Sequence, residues 1–422
     1  MNHNLNLKCE VCENIVRLKV YGGYKNENFF SYSCPECSIN IDGRLIWNEN
    51  LEEGFIKEFQ CNNATESVKE GKESHILQIA TEFYTDKIKR FDPDDISLFF
   101  SPFMKDTSSN EMKFKKTSLV KYTTDNFRDE YNNAMRILQL YKNRKFKYLD
   151  RQLLLHKYIK PVPLGQLLKI DYQNVITDVV YSPFRIFLGE KGYDKKITSL
   201  RYVLNSVKKR NNNETLKLKE EMKELVSSSE EDLVHLLENF YNYHHYIWPV
   251  ILSTIYKTEN IDEIKKNQGI LTTNFEALKN YYVESFEVLC NVLPLFLGIQ
   301  NIKLRNDRNK FSTEMEKNFP KIKTIIDFDE KVSNKGNKIK FFENENIFSD
   351  YFDIKSTLNN AIRNSIGHHS YQYESENQLI KFQDRKNSFE LYLIEFSELL
   401  FETFFATFIA IEIIWFYKDI ND

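Results

Sequence analysis

The chain has 422 residues, with 58 Lys and Arg against 61 Asp and Glu, and a formal net charge of −3 at pH 7. A chain without a strong positive field has little sequence-independent affinity for duplex nucleic acid, which argues against a DNA-binding regulator, so any RNA site must be a local patch. It contains 12 Gly and 9 Pro and neither a P-loop nor a Rossmann glycine pattern, which disfavours a glycine-rich phosphate-binding enzyme.

Four of the six cysteines form two CxxC knuckles, with 21 residues between them. Each knuckle presents two thiolates to one metal ion, and the gap is close to the spacing of a tetrahedral four-cysteine zinc ribbon. A redox motif would be a single CxxC before a helix, and a disulfide framework would need a secreted protein. The sequence therefore predicts one structural zinc per chain, held by Cys9, Cys12, Cys34 and Cys37.

Strand-like alternation surrounds the two knuckles. Residues Ile15–Tyr21 and Phe29–Tyr32 alternate as strands, with Gly22-Gly23 as a turn, and Arg44–Trp47 continues the pattern. We predict three regions along the chain: a zinc ribbon with short strands at 1–60, a mixed, mainly helical regulatory or sensor region at 61–225, and a helical bundle at 226–422.

Apolar residues at three- and four-residue spacing predict helices in the two later regions. The predicted helices are 124–141, one that opens with a serine cap at Ser228-Ser229, and one long helix over 275–296. Residues 338–342 are predicted to be a short strand. The pair His244-His245 invites a metal interpretation, but no carboxylate or cysteine lies at ligand spacing nearby, so core or partner packing is favoured.

The most concentrated basic stretch near the C-terminal region is Lys303–Lys310. From it we take Arg305, Arg308 and Lys310 as candidate RNA-binding residues. The alternative is that these basic residues lie on a solvent-exposed face and bind no RNA.

The string Arg363-Asn364-Ser365-Ile366-Gly367-His368 carries residue types that can act on RNA. A histidine titrates near neutral pH and can move a proton, and a guanidinium can hold a phosphate oxygen as negative charge builds on it. In a continuous helix, positions five apart would lie about 140° apart around the axis. We therefore expect Gly367 to take the left-handed conformation, end the helix and let His368 turn back towards Arg363.

An apolar stripe places this string on a helix, because Ile354, Leu358, Ile362 and Ile366 recur every four residues. Arg363 would lie beside the stripe, at the edge between core and solvent. His369 is one residue further along the chain, so its side chain points in a different direction from that of His368. It is a secondary RNA-binding candidate. The alternative is a capped helix in which the arginine and the histidine only stabilise a turn and take no part in a reaction.

The Arg-Asn-x-x-x-His string, followed by the hairpin-like segment 370–382 and a long helix from Ser388, resembles the signature of HEPN domains, helical bundles found in many RNA-cleaving toxins and phage-defence proteins. The stretch from about Ile354 to Tyr417 resembles the large HEPN branch of abortive-infection proteins. The resemblance implies metal-independent RNA cleavage, in which the ribose 2′-OH attacks the adjacent phosphorus and leaves a 2′,3′-cyclic phosphate and a 5′-OH. It also implies a catalytic set in which His368 transfers protons, Arg363 stabilises the phosphorane and Asn364 orients either the His368 or the Arg363 side chain.

The most apolar segment is Leu399–Tyr417, which carries Glu402 and Glu412. Two carboxylates would be costly in lipid, so a bundle-core helix is expected and not a membrane span. The polar N-terminus MNHNLNLKCE is no signal peptide, and a soluble cytoplasmic protein follows. HEPN nucleases generally work as dimers, and a homodimer would cover the surplus apolar face of this helix. A thicker bundle with the middle helices is the alternative.

We therefore predict a mainly α fold with a C-terminal HEPN helical bundle, a small β-hairpin insertion in that bundle, a helical middle region and an N-terminal β zinc ribbon. The predicted function is a toxin-like endoribonuclease of antiphage abortive infection, with no cofactor for catalysis. Its partners would be an RNA substrate and an antitoxin, a phage-derived trigger or a nucleotide ligand. The alternative is a non-catalytic HEPN scaffold that binds a nucleotide or protein partner, with zinc purely structural.

Overall fold

The computed structural model describes residues 2–23, 26–48, 56–67, 74–156, 175–176, 178–188, 190–385 and 387–419. The strands are β1 (Asn2–Cys9), β2 (Ile15–Tyr21), β3 (Glu27–Ser33), β4 (Asn40–Trp47), β5 (Ile56–Asn62), β6 (Ala64–Glu66), β7 (His75–Ile79), β8 (Thr85–Asp86), β9 (Lys89–Arg90), β10 (Gln268–Gly269), β11 (Tyr371–Glu374), β12 (Leu379–Asp384) and β13 (Asn387–Tyr392). The predicted strands around the knuckles are confirmed. Val16, Leu18 and Val20 of β2 are buried while their neighbours are partly exposed, which is the alternation of a strand with one face on a core.

The N-terminal strands form two sheets. One has the order β6-β1-β2-β7-β9, in which β2 runs antiparallel to β1 and parallel to β7. The other is the antiparallel sheet β3-β4-β5. Side chains of both sheets, among them Leu18, Tyr32 and Ile41, share one apolar core. The N-terminal β region therefore continues to Arg90 and does not end at residue 60.

Helices make up most of the remaining chain. They are α1 (Pro102–Lys105), α2 (Asn110–Lys142), α3 (Phe146–Leu155), α4 (Arg185–Leu188), α5 (Glu190–Arg210), α6 (Asn212–Glu221), α7 (Lys223–Tyr243), α8 (Trp248–Tyr256), α9 (Ile261–Ile264), α10 (Phe275–Asn291), α11 (Leu293–Arg305), α12 (Thr313–Asn318), α13 (Ile325–Lys331), α14 (Lys335–Lys340), α15 (Ile354–Thr357), α16 (Asn360–Gly367) and α17 (Leu393–Asp419).

The last helix, α17, lies inside the helical part of the molecule. It packs against α7 and α10 and, less extensively, against α5 and α8. Its Phe404 is fully buried and stacks on Phe240 of α7 with ring centroids 3.6 Å apart. By length and composition the segment Leu393–Lys418 is apolar enough to cross a membrane, but 78% of its most apolar stretch is buried within the molecule. The exposed apolar face on which the predicted homodimer depended is therefore absent from this helix, and the dimer stays a prediction.

The predicted fold class is wrong in its C-terminal HEPN bundle, whereas its mainly α character broadly fits. The structure is 57% helical, with 18% strand in four sheets. The expected hairpin insertion is a three-stranded antiparallel sheet, β11-β12-β13. One apolar core joins α17 with Phe127 of α2 and Val180, so the core spans both sides of residue 226. The chain is mainly helical, its last helix packs at the centre of the described helices, and no separate HEPN bundle follows the N-terminal β region.

Several predicted element boundaries also change. Helix α2 extends the predicted helix 124–141 in both directions, and α7 begins at Lys223, so Ser229 is a buried residue inside it and not a cap. The predicted helix 275–296 is two helices, α10 and α11, whose axes bend by 46°. Pro294 lies in the first turn of α11, where its missing N–H costs no hydrogen bond, and it cannot continue the preceding helix.

The segment predicted as a strand at 338–342 lies in α14 and the turn after it. The Asn334 side chain accepts a hydrogen bond from the Asn337 backbone N–H at 3.0 Å and caps this helix, which overrides the alternation of the following residues.

Candidate functional site

The two cysteine knuckles occupy equivalent hairpin turns. The first joins β1 to β2, and the second joins β3 to β4. Each ends in a residue with left-handed backbone, Glu13 and Ser38, both at φ 60°. The backbone N–H of each donates to the carbonyl of the first cysteine of its knuckle, at 3.0 Å in the first and 2.8 Å in the second. The same local geometry thus turns two pairs of thiols towards each other.

The four predicted ligands Cys9, Cys12, Cys34 and Cys37 form one cluster whose sulfur atoms lie within 4.8 Å of one another. The Sγ atoms of Cys9 and Cys37 are 3.7 Å apart, and those of Cys12 and Cys34 are 3.4 Å apart. Metal–thiolate bonds of about 2.3 Å in a tetrahedron place sulfur atoms about 3.8 Å apart, so the cluster fits a single ion. The arrangement can hold one metal ion.

The electrostatics of the cluster favour a cation. Burial opposes ionisation of Cys9, but hydrogen bonds from the backbone N–H groups of Cys12 and Val11 lower its pKa to about 7. Burial and the neighbouring thiols raise the pKa of Cys12 to about 12. Thiols packed this closely cannot all ionise by themselves, and a bound cation removes their mutual repulsion. Cys61 and Cys290 lie outside the cluster.

The Arg-Asn-x-x-x-His string lies on α16. The Asn359 side chain caps this helix by accepting hydrogen bonds from the backbone N–H groups of Ala361 and Ile362, at 3.0 and 3.2 Å. The cap separates α15 from α16, so the predicted single helical stripe is broken. All four of its residues, Ile354, Leu358, Ile362 and Ile366, are nevertheless buried.

The end of α16 differs from the prediction. Gly367 remains helical, and the His368 backbone N–H still donates to the Asn364 carbonyl at 2.9 Å. The left-handed residue is His369, at φ 53°. His368 and His369 are both exposed. The chain therefore reverses two residues later than predicted, and His368 does not turn back through a glycine. In the described part of the chain, no hydrogen bond or ion pair joins His368 to Arg363.

The Arg363 guanidinium lies along its own helix. A Cβ atom added at Gly367 would be 3.7 Å from Arg363 Nη1, an ordinary van der Waals distance, so the guanidinium lies beside the residue that precedes His368. Arg363 Nε donates to Glu287 Oε1 of α10 at 2.6 Å. This bond fixes the guanidinium at the end of the helix that carries the exposed histidine.

The same carboxylate binds a second cation, because Glu287 Oε2 accepts a hydrogen bond from Lys335 of α14. Burial, together with the positive charges of Arg363 and Lys338, lowers the pKa of Lys335 to about 8. Lys338 is itself paired with Asp329 at 3.0 Å. Sequence reasoning missed Glu287 and Lys335, since neither belongs to a motif and only packing of α10 and α14 on α16 brings them to Arg363.

Asn364 is half-buried and faces the three-stranded sheet. Its Nδ2 lies 3.5 Å from Asp384 Oδ2 at the end of β12. The next residue, Arg385, is exposed and has a left-handed backbone at φ 56°. The turn between β12 and β13 therefore brings one carboxylate and one arginine to the Asn364 side of α16.

The predicted RNA-binding arginines of the stretch 303–310 are engaged elsewhere. Arg308 donates from Nε to Glu221 at 2.6 Å and also pairs with Glu214. Arg305 pairs with Glu345 and donates to Asn301 Oδ1 at 3.2 Å. Arg308, in the turn after α11, is held on α6, and Arg305 at the end of α11 is held on the turn after α14, whereas Lys310 is exposed.

The pair His244-His245 agrees with the expectation of core packing and not with that of a metal site. His244 is buried, and its ring packs edge-on against Phe127 and Trp248 with centroids 5.3 and 5.5 Å away. Its Nδ1 lies 2.6 Å from the Tyr241 carbonyl oxygen. Among the described residues, the cysteine cluster is the only group of three or more metal-binding side chains close enough to share an ion.

Two separate features therefore stand out: a four-thiol metal cluster in the β region, and a cationic helix end with an exposed histidine in the helical region. No protein-family model, curated protein or solved structure matches this chain.

Proposed function

We propose that the protein is a metal-independent endoribonuclease, acting as a toxin-like effector in antiphage abortive infection, with Arg363, Asn364 and His368 in its site. The observation that carries the proposal is the arrangement at the end of α16. The Arg363 guanidinium is held by its Nε on Glu287 and lies against Gly367, directly before the exposed His368. A fixed cation and an accessible imidazole at the same helix end suit a substrate with a phosphodiester that must be polarised and a hydroxyl that must lose its proton.

In the proposed reaction the ribose 2′ oxygen attacks the adjacent phosphorus, and the bond from phosphorus to the 5′ oxygen breaks. The 2′-OH proton passes to the His368 imidazole, and the departing 5′ oxygen takes a proton from solvent. The edge of Arg363 away from Nε faces the non-bridging oxygens, on which negative charge accumulates. Asn364, in contact with Asp384, orients the site. The products are a 2′,3′-cyclic phosphate and a 5′-OH.

We propose Zn²⁺ as the ion of the cysteine cluster, with a structural role. Four thiolates complete a tetrahedral shell and leave no open position for substrate, which is the ligand set of structural zinc sites. The cluster lies between strands of the β region, so the ion would hold two hairpins together.

A non-catalytic scaffold is the second candidate, and one observation favours it. The ion pair between Arg363 and Glu287 joins α16 to α10, which is a sufficient structural reason for an arginine at this position. Such a protein would bind a nucleotide or a protein partner without cleaving RNA.

The decisive experiment measures cleavage of a single-stranded RNA by purified wild type, His368→Ala and Arg363→Lys in the presence of EDTA. The enzyme hypothesis expects wild type to release ends with a 2′,3′-cyclic phosphate, and both variants to lose activity. Arg363→Lys should fail because an ammonium cannot reproduce the two-pronged grip of a guanidinium on phosphate. Equal cleavage by wild type and the His368 variant, or none by either, would support the scaffold.

A further inference from the structure

We propose that Lys335 is a second phosphate-binding cation of the candidate site, and that Glu287 is the positioning residue that holds Lys335 and Arg363 side by side. This inference rests on the proposed RNA-cleaving function, and it adds two residues that lie outside the Arg-Asn-x-x-x-His string. It predicts a site that grips the RNA backbone through two adjacent cations.

The geometry of one carboxylate carries the inference. Glu287 Oε1 accepts from Arg363 Nε at 2.6 Å, and Oε2 accepts from Lys335 Nζ. Because the two oxygens belong to one rigid carboxylate, ordinary hydrogen-bond lengths hold the two cationic groups within about 8 Å of each other. The three side chains are each partly exposed, at 33%, 31% and 25% for Arg363, Glu287 and Lys335, so the cluster lies at the surface where a polymer can reach it.

The charge balance leaves the cluster positive. Two cations share one carboxylate, which gives a net charge of +1, and a phosphodiester carries one negative charge. Lys338, the nearest further cation, is neutralised by Asp329. Arg363 uses its Nε for Glu287, and its Nη1 lies beside Gly367, where no side chain fills the space. A phosphate that bridges the Nη edge and the Lys335 ammonium would complete the cluster.

The state of Lys335 is consistent with this role. Burial first, and then the charges of Arg363 and Lys338, lower its pKa to about 8. The anionic group that faces it is the Glu287 carboxylate. Cys290, on the same face of α10, lies near Lys338 and Arg363, and burial raises its pKa so that the thiol stays neutral. An ammonium repelled by neighbouring cations gains more from an anion than a solvated one does. Phosphate binding should therefore weaken as pH rises through about 8, because Lys335 loses its charge there.

The chain offers a matched control. Lys340 lies on the same short helix, is exposed, and has no ion pair with the described residues. Lys335→Gln and Lys340→Gln remove the same charge from the same helix, and Lys335→Arg keeps a charge that does not titrate in this range.

The test measures binding of a fluorescein-labelled single-stranded 2′-O-methyl RNA, which 2′-OH attack cannot cleave, together with cleavage of the unmodified RNA. For Lys335→Gln we expect at least tenfold weaker binding and a loss of about 0.7 from the slope of log K against log salt, the value for one lost phosphate contact on a single strand. Lys340→Gln should bind as wild type does. Wild-type affinity should fall between pH 7 and 9, and Lys335→Arg should remove that fall.

The outcomes separate the two hypotheses. If wild type cleaves RNA and His368→Ala does not, but Lys335→Gln binds and cleaves like Lys340→Gln, the role of Lys335 is wrong and the ribonuclease assignment stands. If wild type binds the RNA with the expected Lys335 and pH dependence yet never cleaves, the ribonuclease assignment is wrong and the two-cation phosphate site stands. Melting curves establish that each variant is folded, and Lys335→Arg serves as the test should the Gln variant unfold.

Discussion

Asn274 Nδ2 donates a hydrogen bond to Ser31 Oγ at 3.1 Å. Ser31 lies on β3, the strand that leads into the second cysteine knuckle. The other end of the same amide, Asn274 Oδ1, accepts from the Ala277 backbone N–H at 3.0 Å and caps α10. That helix carries Glu287, the residue that holds Arg363. One side chain thus connects the metal-binding β region to the helix that supports the candidate site.

Replacing this residue should weaken both connections at once. We expect Asn274→Ala to lower the free energy of unfolding by roughly 1 kcal/mol, the usual cost of removing a helix cap, with a further small loss from the bond to Ser31. Ser31→Ala is the matched control, since it removes the side-chain bond to Asn274 and leaves the cap in place. Chemical denaturation measures both. Equal stability of Asn274→Ala and wild type would contradict the cap.

Removing one thiol should empty the metal site. We expect near one equivalent of zinc in purified wild type, and loss of that zinc together with folding of the N-terminal sheets in Cys34→Ser, because metal-binding free energy is folding free energy in such modules. Elemental analysis and circular dichroism measure the two effects. Cys61→Ser is the control, since Cys61 lies outside the cluster, and it should retain the metal. A folded wild-type preparation without stoichiometric metal would rule out the zinc assignment.

Changing the exposed histidine should affect chemistry and spare the fold. His368→Ala should keep its melting temperature within a few degrees, since exposed substitutions usually change stability by about 0.5 kcal/mol or less. Cleavage should fall by about 10² or more, the scale for losing a general acid–base group. Lys340→Gln, an exposed change on α14, is the control and should retain activity. Wild-type cleavage by a folded His368→Ala would exclude His368 from the reaction.

A partly buried carboxyl of α17 should make stability depend on pH. Burial, and then the charges of Glu402, Glu395 and Asp262, raise the pKa of Glu398 from its usual 4.5 to about 7. The folded state therefore favours the protonated carboxyl, and its contribution to stability is present below about pH 4.5 and is lost as pH rises towards 7. We expect Glu398→Gln to be more stable than wild type at pH 8, because the variant lacks the charge that burial and the neighbouring carboxylates disfavour. The gain should be roughly 1 kcal/mol, since solvent screens part of the repulsion, and the two proteins should be equally stable near pH 4.5.

Thermal melts at the two pH values test this expectation. Glu395→Gln is the control on the same helix, since Glu395 pairs with Lys265 at 2.8 Å and accepts from the Tyr392 backbone N–H at 2.9 Å. Its replacement should not stabilise the protein at pH 8. A pH-independent effect of Glu398→Gln would show that packing and not charge decides this position.

Local sequence determined the elements whose signal lies within a few residues. The CxxC spacing specified the four-thiol cluster, because two pairs of thiols at that separation need only a hairpin turn each to converge. Alternation specified β2 and β3, since a strand with one buried face repeats every two residues. The cap of α10 is equally local, because Asn274 directly before the helix accepts from the Ala277 backbone N–H.

Only the tertiary structure decided what surrounds these elements. Glu287 precedes Arg363 by 76 residues, and their contact depends on how α10 packs against α16. The apolar face of α17 suggested a bundle interface or a second chain, and in the structure α7 and α10 cover it. The sequence of an apolar helix indicates that the helix is buried, but it does not indicate which element covers it. Where the local sequence allows several arrangements, contacts between residues that are distant in the sequence determine which arrangement the protein adopts.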